Sequence, residues 1–231
     1  GARVTGAFAI SAGGVDAHFP RVHYSPDVNN GEGGFLVTWH QGTSKSNNQV
    51  NYRIVAYPNQ LVTPQRAIAS AATKWEMGAA IAYSEASKVF LVAWKTARTE
   101  TQTARVMAAR INLDGQVVGS VIQVSDPALH GRDPSVAWNP IANEFGVLYT
   151  GWDPPYVVFA RVSASGTVLR RNQIRVSTGT FITGLAFNTS TGRYIGAWYD
   201  LQGGTRGAEL SSNGDLIAHG VLSTTTGRYD G

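Results

Sequence analysis

Three carboxylates recur at related places in this chain. Asp16, Glu76 and Asp133 each stand a few residues ahead of a short apolar run. Asp16, Trp75 and His130 also share one offset, eight residues before Tyr24, Tyr83 and Trp138. Carboxylates gathered from separate segments at one mouth suit cleavage of a glycosidic bond, in which one acid protonates the leaving oxygen and a second carboxylate acts as base or nucleophile. The plainer role for Asp16 and Asp133 is to cap the turn before a strand, as Asp commonly does. The distance between the carboxyls decides between the two.

A second group lies in GWDPPY, which holds Trp152, Asp153 and Tyr156. A flat indole beside a carboxylate and a phenol stacks on a sugar ring while the polar groups take its hydroxyls. Trp75, in a connector, and His130 with Arg132, in HGRD, join these as candidate ligand contacts. The alternative for Trp152, next to a proline pair, is to cover the end of its own sheet.

Other chemistries find no pattern. There is no G-x-S-x-G elbow, no H-E-x-x-H, no D-x-D-x-D-G loop, and the five histidines show no four-residue pairing. The absence of cysteine excludes disulfides, thiolate metal sites and a cysteine nucleophile. Neither a metal nor a cofactor is expected. The net charge of +4 comes from scattered residues, with only Arg170 and Arg171 adjacent, so no basic stripe for nucleic acid is formed. No apolar run approaches the roughly 20 residues that span a bilayer as a helix, so membrane insertion is not expected.

The elements that must position these residues are short strands. Asp133 to Ser177 breaks into four apolar runs, SVAWN, EFGVLYT, VVFARVS and VL with IRVS, separated by NPIAN, GWDPP and SASG. Asn, Pro and Gly at those breaks predict turns, so the stretch reads as a four-stranded antiparallel meander. The same unit recurs. Its first-strand aromatics are Tyr24, Tyr83, Trp138 and Phe187, and its second-strand aromatics are Trp39, Trp94, Tyr149 and Trp198. The closing serines are Ser11, Ser70, Ser125, Ser177 and Ser223, five for four copies of the rest.

A four-stranded unit repeating about every 50 residues predicts an all-β fold, a β-propeller of four-stranded antiparallel blades. The second strands FLVTW, FLVAW, FGVLY and YIGAW are apolar on both faces, as a sheet between two neighbours requires. A β-sandwich would leave one face polar. The blades are expected at about 15–70, 71–125, 126–177 and 178–223 of one domain, 1–231. Residues 1–14 are expected as an extra outer strand and 224–231 as the lead-in to a further strand. That makes either a four-bladed ring with a surplus strand or part of a longer array completed by a fifth blade.

With the units aligned, P-x-VAWN, EFGVLY, ARVSASG and IRVS resemble the degenerate blade repeats of large secreted or surface-anchored bacterial proteins. The resemblance implies a secreted or cell-surface setting and a role in adhesion, carbohydrate binding or scaffolding, and it carries no catalytic motif. The expectation is therefore a noncatalytic, lectin-like module for a glycan or protein ligand at the loop face of the disc, with membership of a larger chain left open. A glycoside-processing enzyme and a purely structural repeat segment are the alternatives.

Overall fold

A computed structural model describes residues 8–13, 16–42, 48–56, 60–68, 75–97, 103–152, 155–176, 180–201 and 204–223. The described residues form strands and turns, with no helix among them. Blade 1 comprises β1 (Ala17–Ser25), β2 (Gly34–Gly42), β3 (Asn48–Ala56), β4 (Gln60–Leu61) and β5 (Arg66–Ala67). Blade 2 is β6 (Trp75–Ser84), β7 (Val89–Ala97), β8 (Arg105–Asn112) and β9 (Val117–Gln123). Blade 3 is β10 (Arg132–Asn139), β11 (Glu144–Trp152), β12 (Pro155–Ser163) and β13 (Val168–Val176). Blade 4 is β14 (Thr180–Asn188), β15 (Arg193–Asp200), β16 (Gly204–Ser211) and β17 (Leu216–Ser223). Each blade is an antiparallel meander, and a single parallel bridge, Asn48 to Trp75, joins the sheets of blades 1 and 2.

The repeat register holds in detail. Tyr24 opposes Phe35, Tyr83 opposes Phe90, Trp138 opposes Phe145 and Phe187 opposes Tyr194. The ring pairs are tilted or edge-on, with centroids 5.4, 4.7, 5.1 and 4.7 Å apart. Such offset geometry suits the aromatic quadrupole.

Blade 1 departs from the expected pattern at its outer edge. The strand anticipated in RAIAS is broken: β4 pairs with Val55 and Ala56, and β5 with Asn51 and Tyr52. Pro64 has no N–H to continue the ladder, and the Thr63 hydroxyl accepts the Ile54 N–H at 3.0 Å where a strand carbonyl would. Residues 8–13, expected within an outer strand, are not in a strand. The Ile10 carbonyl accepts from Arg53 at 2.7 Å, and the Ala12 N–H donates to Gln65 at 2.7 Å, so this stretch lies against blade 1.

The core lies between blades. Leu36, Val50, Tyr52 and Ile54 of blade 1 meet Phe90, Val92 and Trp94 of blade 2. Leu91, Ala93, Val106 and Ala108 then meet Phe145, Val147 and Tyr149 of blade 3. Leu148, Val157 and Phe159 meet Tyr194, Trp198 and Leu210 of blade 4. Alternate residues of β7 and of β11 therefore face the preceding and the following blade, which explains why these strands are apolar on both sides.

The inner strands pack in series, β1 on β6, β6 on β10 and β10 on β14, and among the described residues no comparable packing joins β14 back to β1. The faces left open are those the repeat buries elsewhere. Tyr24 is 54% exposed where its counterpart Tyr83 is 4%, and Val22 and Phe35 are exposed beside it. On blade 4, Ile195 is 48% exposed where Leu36 and Leu91 hold the same position fully buried.

Candidate binding site at the mouth of the inner strands

Every inner strand carries a β-bulge near its first residue. The register with the second strand shifts between His18 and Arg21, Met77 and Ala80, Arg132 and Ser135, and Phe181 and Thr183. In the first three blades the bulge holds a residue in the left-handed region: Phe19 (φ 52°), Gly78 (φ 69°) and Asp133 (φ 49°). These stand five residues before Tyr24, Tyr83 and Trp138, so the bulge belongs to the repeat. A bulge interrupts the ladder and re-aims the side chain it carries.

In blade 1 that side chain is Phe19, a bulky residue in a conformation that glycine tolerates far better. It is 55% exposed, with its ring centroid 5.6 Å from His40 and 6.3 Å from His18. His18 and His40 oppose one another across β1 and β2. His40 is 2% exposed, and neither ring nitrogen has a hydrogen-bond partner among the described residues. Burial, reinforced by the positive fields of Arg21, His18 and Lys95, pushes its pKa down to about 4. His40 is therefore neutral near pH 7.

In blade 3 the bulge residue is Asp133, half-exposed, with the Arg132 Nε 3.6 Å from its carboxylate. Burial works against the Arg132 charge and Asp133 supports it. The bulge is fastened from blade 4, where the Thr183 hydroxyl donates to the Asp133 carbonyl at 2.6 Å. His130 accepts the Ala104 N–H at Nδ1, 3.3 Å away, and its carbonyl accepts the Tyr156 hydroxyl. Tyr156 is buried in the core between blades 2 and 3, and burial pushes its pKa up to about 12.

The expected site residues are thus distributed as follows. Asp16 is exposed just before β1, Glu76 is the second residue of β6, and Asp133 is the second residue of β10. Three carboxylate positions therefore share one end of three successive inner strands. Trp75 opens β6 and Trp152 closes β11 opposite Pro155. The side chains of Trp75, Glu76 and Trp152, and the whole of Asp153, lie outside the described residues. Among the described residues no three His, Asp or Glu side chains are grouped to hold a metal ion. Sequence reasoning missed Phe19 and His40. The available signal was Phe19 itself, aligned with Gly78 at a position where the backbone demands positive φ.

No protein-family model matches the chain, and no curated protein matches it. Solved structures do resemble it. An N-acetylgalactosamine deacetylase from F. plautii superposes with a TM-score of 0.55 at 9% identity, over 91% of this chain and 70% of its own. A subtype N10 neuraminidase-like protein of A/little yellow-shouldered bat/Guatemala gives 0.52 at 12% identity, over 86% and 57%. The endo-arabinase from Bacteroides thetaiotaomicron gives 0.50 at 8% identity, over 91% and 76%. At such identities the likeness concerns fold alone. The fold is a β-propeller.

Proposed function

We propose that this chain is a noncatalytic, extracellular propeller module that binds a carbohydrate at the mouth of its inner strands. The observation that carries the reading is Phe19, an exposed aromatic ring held out of the ladder at φ 52° beside His18 and His40. An aromatic platform ringed by polar groups is the arrangement that stacks on a sugar and takes its hydroxyls. Trp75, Trp152, Asp153, His130 and Arg132, from neighbouring blades, would extend the contact, with Tyr156 backing His130 from below. The propellers it resembles include carbohydrate-active proteins by their names, which is consistent with a glycan ligand. Calorimetric titration with a panel of oligosaccharides tests this. Binding should weaken about tenfold in Phe19→Ala and Trp152→Ala, and a panel silent on the wild-type chain would overturn it.

A second reading is a glycoside-processing enzyme, favoured by the placing of Asp16, Glu76 and Asp133 at one end of adjacent strands. It requires turnover of aryl glycosides that disappears in Asp133→Asn. The open faces of blades 1 and 4 support membership of a longer array, with one further blade of the same repeat seated between them. Its front would cover Ile195, and its back would cover Val22, Tyr24 and Phe35, as at each existing blade interface.

A further inference from the structure

The opposite end of the disc holds a cavity that none of these readings uses. It has a volume of about 650 Å³ and is lined by Glu85, Ala86, Lys88, Trp138, Pro140 and Thr189. These residues come from the far ends of the inner strands and from the hairpins leading into β7, β11 and β15. The mouth with Phe19 lies at the other end of the same strands, each of which is eight to ten residues long. At about 3.3 Å per residue the two places are separated by on the order of 25 Å.

Two departures from the repeat coincide at this cavity. Trp138 takes the place that Tyr83 fills in blade 2, but Tyr83 is buried and spends its hydroxyl on Asp27 at 2.6 Å, whereas Trp138 is half-buried and lines the opening. Lys88, the residue just before β7, occupies the left-handed hairpin position (φ 52°) that blades 1, 3 and 4 give to Gly33, Asn143 and Gly192. Asn and Gly adopt that conformation readily; a lysine there stores strain of about 1 kcal/mol or more. Nothing in the local turn calls for lysine. Its ammonium reaches the Asp27 carboxylate at 2.6 Å and so is fixed at the rim.

The rim is braced independently of any ligand. Ser84 and Ser87 donate to Asn143 Oδ1 at 3.2 Å each, tying the hairpins of blades 2 and 3. Asn139 caps the N–H groups of Ile141 and Ala142, and Asn188 those of Ser190 and Thr191. A cavity that is already ordered loses little entropy on binding.

We propose that this cavity is a second carbohydrate site, distinct from the mouth, which takes a neutral pyranose. The Trp138 indole and the Pro140 ring supply the apolar platform for the sugar's C–H face. The Glu85 carboxylate accepts from ring hydroxyls, and the Thr189 hydroxyl and the Lys88 ammonium donate. Because Asp27 already balances Lys88, Glu85 leaves the site without the positive charge that an acidic sugar would need.

The test is a titration of the isotopically labelled chain, following the Trp138 indole N–H signal, assigned by its loss in Trp138→Phe. The probes are methyl glucoside, methyl galactoside, N-acetylglucosamine and, as the acidic control, glucuronate. A saturable Trp138 shift with a neutral sugar is expected, weakened about tenfold in Glu85→Gln and Thr189→Ala. An unmoved Trp138 signal, a shift preserved in both variants, or a preference for glucuronate would overturn the proposal. The Trp152 indole signal reports on the mouth in the same spectra. Movement of Trp138 with Trp152 silent would sink the mouth reading and leave this one standing, and the converse holds.

Discussion

Tyr194 of blade 4 lies over Gly146 of blade 3: a Cβ on Gly146 would fall 2.6 Å from the Tyr194 ring and 2.8 Å from Phe159. The ring centroids of Phe159 and Tyr194 are 4.8 Å apart, so the glycine is the floor of an aromatic pair that joins the two blades. Gly146→Ala should destabilise the protein by about 1–3 kcal/mol through overpacking. The measurement is the urea midpoint at unchanged m-value. A neutral effect would show that the blades slide apart without cost.

That relationship illustrates what the sequence could and could not reveal. The blades were legible because Tyr24, Tyr83, Trp138 and Phe187 recur in step with the second-strand aromatics, and a strand packed on both sides has to be apolar on both. The break at Thr63–Pro64 was less visible, since RAIAS still reads as the end of an outer strand. Gly146 looked like one more small residue, because its meaning depends on a ring supplied from the next blade. At the mouth, Asp16, Glu76 and Asp133 could be assigned to the entries of three inner strands because each precedes a repeated first-strand aromatic, although at different offsets. Phe19 was harder to recognise: its alignment with Gly78 was a signal, but its exposure follows from a bulge and a positive φ that the spacing does not itself reveal.

The open face of blade 1 can be compared directly with its buried counterpart. Val22 and Ile81 are equivalent, but Val22 is exposed whereas Ile81 packs into the core between blades 1 and 2. Val22→Asp should change the stability of this chain by no more than about 0.5 kcal/mol. Ile81→Asp, which sets a carboxylate against that core from a partly buried position, should cost about 1–3 kcal/mol. Equal large losses in denaturant unfolding would mean that Val22 is covered in solution.

Asp27 ties two blades through one carboxylate. Its bonds to the Lys88 ammonium and the Tyr83 hydroxyl, each 2.6 Å, hold its pKa below the ordinary value. A depressed carboxylate stabilises the fold above its unfolded value, about 3.9, and that contribution is lost as pH falls through the lower folded value. Asp27→Asn should lower stability at pH 7 by about 1 kcal/mol. It should also reduce the steepness of acid unfolding below about pH 4. An unchanged acid limb in the variant would count against the tie.

His40 acts in a different window. Its folded pKa of about 4 lies below the unfolded value of about 6.5, so between the two the unfolded chain binds the extra proton. Stability should therefore fall as pH drops from about 6.5 to about 4, by at most about 3 kcal/mol. Arg21, His18 and Lys95 face His40 and deepen the effect. In His40→Leu the slope over that interval should flatten. Chemical denaturation at half-unit pH steps reads it, and a slope that survives in the variant would assign the titration elsewhere.

Phe19 separates stability from binding. Left-handed φ costs a bulky residue about 1–2 kcal/mol, and Gly78 at the equivalent bulge shows that glycine fits the same turn. Phe19→Gly relieves that strain. Against the relief stand the lost ring contact with His40, 5.6 Å between centroids, and the greater freedom of glycine in the unfolded chain, each worth about 1 kcal/mol. The net change in stability should lie within about 1 kcal/mol of zero. If the ring is a sugar platform, saccharide affinity should still fall about tenfold, since an aromatic contact with a ligand is worth more than 1 kcal/mol. Measuring thermal midpoint and titration on the same variant distinguishes the outcomes. A loss of several kcal/mol in stability would make Phe19 a packing residue, and full affinity at normal stability would remove it from the site.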